Sequence, residues 1–112
     1  PHVLITGCNV HGNRGSGIAG NGTVIGNTCA GNAGAGIFMS SSGGMVADNH
    51  VLRNYTGITL GNSSSTNLVI RNVAIGNTNG AFVISGSGNV VGPVINGAGA
   101  ATNSNPGANY SL

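Results

Sequence analysis

Asp48 is the one side-chain carboxylate in the 112-residue chain, and Arg14, Arg53 and Arg71 carry its only fixed positive charges. Glycoside hydrolysis in its usual form needs a pair of carboxylates. A Ca2+-dependent lyase needs several acidic oxygens and a base to take the proton. The chain supplies neither set, so no catalytic residue is expected. His2, His11 and His50 would hold a metal only by converging on one point. Cys8 and Cys29 are too few for a disulfide-dense scaffold. Gly12-Asn-Arg-Gly-Ser-Gly17 looks like a phosphate loop, but no helical pattern follows to present an anion-binding N-terminus. A formal net charge of +2 from three arginines makes no basic patch, so nucleic acid is not an expected partner. No cofactor and no metal is expected either.

The elements that position these residues follow from a repeat. Charged residues are 4% of the chain, yet 39% are hydrophobic, which argues for ordered packing and against disorder. No apolar run approaches the roughly 20 residues of a membrane-spanning helix. One pattern recurs: an aliphatic residue, two variable residues, Asn, four variable residues, Asn, then a short run ending in Gly-Ile. Val24-Ile25-Gly26-Asn27 leads through Asn32 to Gly36-Ile37. Val46 to Asn49 leads through Asn54 to Gly57-Ile58, and Val69 to Asn72 through Asn77 to Gly80-Ala81. Ile5 to Cys8 is an earlier copy that runs through Asn13 to Gly17-Ile18, and Val90 to Pro93 is a degenerate fifth. Residues 8, 27, 49, 72 and 93 are spaced by 19, 22, 23 and 21 residues. Ankyrin, tetratricopeptide and propeller repeats are longer, and helical repeats tolerate neither this much Gly nor this much Asn. The expectation is an all-β solenoid of about five coils over residues 1–96. Residues 97–112 form an irregular tail, a candidate cap or joint.

Stacking the copies predicts columns. Val10, Cys29, Val51, Ala74 and Ile95 form one inward column; Ile5, Val24, Val46, Val69 and Val90 form a second. Ile18, Ile37, Ile58 and Ala81 form a third, with Gly20, Met39, Leu60 and Val83 beside it. Asn27, Asn49 and Asn72 stack into one amide ladder, and Asn32, Asn54 and Asn77 into another. The Gly ahead of each Ile is expected to hold a positive φ. Asp48 and Arg71 fall side by side on adjacent rungs and should form a surface ion pair. His11 and His50 fall in different columns, against a shared metal. Cys8 takes a ladder place and Cys29 a core place, so two reduced cysteines are expected. Phe38 and Phe82 share an outward column across Thr59, a candidate surface contact. Of the sequons at Asn21, Asn54, Asn62 and Asn109, Asn62 lies in the best loop for glycosylation.

The chain resembles the right-handed parallel β-helix repeat proteins of bacteria. The residues that carry the resemblance are Val24-Ile-Gly-Asn-Thr-Cys-Ala-Gly-Asn32, Asn67-Leu-Val-Ile-Arg-Asn72, Gly88-Asn-Val-Val-Gly-Pro-Val-Ile-Asn96 and the tail Asn105-Pro-Gly-Ala-Asn-Tyr110-Ser-Leu112. Gly107 departs from the pattern, because similar tails carry an aromatic there. The resemblance implies a right-handed parallel β-helix and a C-terminal position in a longer protein, and no activity. The opening Pro1-His2-Val3 fits a piece of that kind. The functional expectation is a non-catalytic extracellular or cell-surface solenoid that assembles with itself end to end into a filament. The alternative is a carbohydrate-binding or scaffold fragment of a larger surface protein, with polysaccharide as partner. A remnant of a polysaccharide lyase or hydrolase ranks below both.

Overall fold

The computed structural model describes residues 2–97 and 104–112 and is a parallel β-solenoid. Each coil contributes one strand to each of three sheets. The first coil holds β1 (Leu4–Thr6), β2 (Asn9–His11) and β3 (Ile18–Gly20). The second holds β4 (Thr23–Ile25), β5 (Thr28–Ala30) and β6 (Ala35–Met39), and the third β7 (Met45–Ala47), β8 (His50–Leu52) and β9 (Thr56–Leu60). The fourth holds β10 (Leu68–Ile70), β11 (Val73–Ile75) and β12 (Phe82–Ile84). Then β13 (Val90–Val91) and β14 (Val94–Asn96) begin another turn, and β15 (Asn109–Ser111) inserts between β11 and β14 in the second sheet. The sheets run β1-β4-β7-β10-β13, β2-β5-β8-β11-β15-β14 and β3-β6-β9-β12. Among the described residues, four complete coils therefore replace the expected five.

Most strands are three residues long, with one inward residue flanked by two that face out, whereas β6 and β9 run to five and bury Ile37 with Met39 and Ile58 with Leu60. Val24, Val46 and Val69 stack directly and are fully buried, each worth about 1.5–3 kcal/mol of apolar transfer. Cys29 and Val51 stack likewise in the second sheet, and Ile37 and Ile58 in the third. Small and β-branched side chains suit an interior that adjacent backbones approach so closely.

Four expected columns change at the lower end. Val91, not Val90, lies under Val69. Phe82, not Ala81, lies under Ile58, and Ile84, not Val83, lies under Leu60. The cause is corner length: Ile18, Ile37 and Phe82 each stand five residues after the preceding ladder Asn, whereas Ile58 stands four after Asn54. Ile95 does not reach Ala74, because β15 lies between them and pairs Ser111 with Ala74 and Tyr110 with Ile95. The tail expected to be irregular thus supplies a strand, while its residues 98–103 lie outside those described.

The glycines ahead of the inward Ile also differ from expectation. Gly17, Gly36 and Gly57 are not at positive φ; of that set only Gly80 is, at 131°. Space excludes a side chain instead. A Cβ on Gly36 would meet Asn54 Nδ2 at 2.8 Å and Gly57 O at 3.0 Å. Left-handed residues stand instead before the ladder positions: Gly7, Gly26, Asp48 and Arg71 in the first ladder and Gly12, Gly31, Arg53 and Gly76 in the second, with φ between 50° and 68°.

Candidate functional site

The polar residues that the fold gathers lie inside it. Asn49 Oδ1 accepts from Asn27 N at 2.9 Å and Asn27 Nδ2 at 3.1 Å. Asn49 Nδ2 donates to Val24 O at 2.9 Å and to Asn72 Oδ1 at 3.0 Å. Every donor and acceptor of that amide is used, which is what a side chain with no solvent exposure requires. Cys8 heads this ladder through its backbone N–H, which donates to Asn27 Oδ1 at 2.9 Å. The second ladder runs from Asn13 through Asn32 and Asn54 to Asn77 by the same pattern. These corners orient backbone, and their buried amides are spent on one another and on inward carbonyls.

Two ladder features escaped the sequence reading. Asn67 and Asn89 form a third stack, in which Asn89 Oδ1 accepts from Asn67 N and Nδ2 at 3.0 and 3.1 Å. Each stands two residues ahead of an inward valine, a spacing present in only two coils. That stack places Val91 under Val69 and so carries Val94 into the first ladder's column. Valine cannot accept the Asn72 amide hydrogens. Asn109 does so instead, with its Oδ1 3.1 Å from Asn72 N and 3.0 Å from Asn72 Nδ2. No periodicity announces Asn109, 37 residues after Asn72.

On the surface, Arg71 donates to Asp48 through two parallel bonds of 2.8 and 3.0 Å. The Arg71 hydrogen bond holds the Asp48 carboxyl below the usual carboxylate range. Both side chains are nearly half exposed, so solvent screens the pair and it contributes little to stability. His11 stacks on Ala30, whereas His50 stacks between Thr28 and Val73, and both are exposed. Among the described residues, no three His, Cys, Asp or Glu side chains cluster as a metal site would require.

Both thiols are free, Cys8 exposed and Cys29 buried. Burial, with a smaller contribution from Cys8, pushes the Cys29 thiol up to about 11. Asn62 and Asn21 are exposed, whereas Asn54 and Asn109 are buried in ladders. The sequon hydroxyl of Ser64 is buried and donates to Gly61 O at 2.7 Å. The outward aromatic pair is not formed. Phe38 stacks between Ala19 and Thr59, while Phe82 lies under Ile58 against the core.

The model of the right-handed β-helix region matches residues 1–111 of the chain. The chain belongs to the right-handed β-helix family. That membership accounts for the stacked ladders and for the three parallel sheets, and it carries no single activity. No curated protein and no solved structure matches this β-helix significantly.

Proposed function

We propose that this β-helix is a non-catalytic structural stem in an extracellular or cell-surface protein, holding other parts at a fixed spacing. The observation that carries this reading is the use of its polar side chains: the recurrent asparagines are spent on one another and on inward carbonyls. The one carboxylate is already engaged by Arg71. Hydrolysis by a carboxylate pair has no second partner here.

End-to-end stacking into a filament draws on the edges of β1, β2 and β3, which no strand among the described residues covers. The opposite end is stepped, since among the described residues the three sheets hold five, six and four strands. A rigid second copy would have to meet three edges at different levels, which supports the stem reading. Carbohydrate binding draws on Phe38 alone once Phe82 turns inward. Electron microscopy of the purified chain at high concentration is the test. Short rods of one or two copies are expected, and rods many copies long would replace the stem with the filament reading. Polysaccharide binding that disappears in Phe38→Ala would replace it with the carbohydrate reading.

A further inference from the structure

The slot between β11 and β14 is filled by a strand that does not belong there in chain order. Its upper wall presents the Asn72 N–H and Nδ2, which need an acceptor at the ladder position. Its lower wall, β14, offers Val94 in that column and cannot meet the need. The tail meets it completely. Asn109 accepts both Asn72 hydrogens, and its Nδ2 donates to Val69 O at 2.9 Å and Gly92 O at 3.0 Å. Tyr110 N donates to Asn72 O and Leu112 N to Ala74 O, both at 2.8 Å, while Asn109 N donates to Pro93 O at 2.7 Å. Gly92 is shaped for this guest, because a Cβ there would run into Gly107 O. Ala108 and Asn109 are buried in the slot.

We propose that this slot is a binding site for an extended peptide strand, recognised by one ladder asparagine, and that the tail of a second copy is its partner. Strand addition takes its affinity from main-chain hydrogen bonds and its specificity from the alternate side chains. Here the specificity residue is Asn109. The contacts of residues 104–112 are identical whether the tail comes from the same copy or another, and such an exchange creates no new interface.

The experiment offers a labelled peptide of residues 104–112 to the full chain carrying Asn109→Ala, which weakens the resident tail and leaves the slot walls intact. Saturable binding is expected, and a peptide with alanine at the asparagine position should bind roughly 100-fold more weakly, since four hydrogen bonds depend on that side chain. Equal binding of the two peptides, or binding of neither, overturns the site. Should Asn109→Ala fail to fold, the labelled peptide is added to the wild-type chain during refolding. Incorporation there, with faster amide exchange at Tyr110 and Leu112, supports the site, and exclusion overturns it. Refolding the wild-type chain at high concentration should yield dimers that persist on dilution, and strict monomers overturn the second-copy assignment.

Discussion

At the residue scale, stability is concentrated in amides whose every hydrogen is placed. Asn49→Ala removes one acceptor and two donors from a site closed to solvent, leaving Asn27 and Asn72 partly unpaired. The expected cost is about 3 kcal/mol or more, because an unsatisfied buried group carries its full desolvation penalty. Asn13→Ala, at an exposed ladder end, should cost under about 1 kcal/mol. Denaturant unfolding of the two variants checks the contrast, and equal losses would contradict the ladder argument. Cys29 makes a second prediction. Its thiol ionises near 9.0 when unfolded and at about 11 when folded, so the folded state resists losing the proton. Stability from this group is whole below pH 9 and falls as pH rises toward 11. Cys29→Val, which continues the Val10 and Val51 column, should flatten that decline in denaturant titrations at successive pH values.

At the element scale, the register of β12 decides what the aromatics do. Phe82 stacks on Ile58 and closes the core, whereas Phe38 faces outward beside Thr59. Truncating Phe82 to alanine should therefore cost about 2–3 kcal/mol, part of the 3–5 typical of a fully buried Phe. Phe38→Ala should cost about 1 kcal/mol or less. Thermal unfolding of both variants distinguishes this order from the shared outward column that the repeat alone implies. The same one-residue offset shows how far the alignment was legible. The corner after Asn77 has the length of those after Asn13 and Asn32, but Gly80-Ala81 imitates Gly57-Ile58 and masks it.

For the whole molecule, coils touch only their neighbours, so the stability of the stack is close to a sum of rung-on-rung interfaces. Almost none of that sum is electrostatic, with 4% charged residues and one ion pair among those described. The melting temperature should therefore shift by less than about 2 °C between low salt and the ionic strength at which the Debye length is about 8 Å. A larger shift in calorimetry would mean that charge does more than the Asp48–Arg71 pair allows.

The sequence by itself determined the solenoid, the two long asparagine ladders and the Asp48–Arg71 neighbourhood. Each is written in a period that many residues share, and stacking turns equal spacing into contact. Only the tertiary structure decided the lower end. There Val94 falls where a ladder asparagine is needed, and the Asn72 hydrogens find their acceptor in Asn109 across a gap with no repeat. A long-range contact of that kind follows from an unmet hydrogen bond, and it becomes visible only once the neighbouring strands are in place.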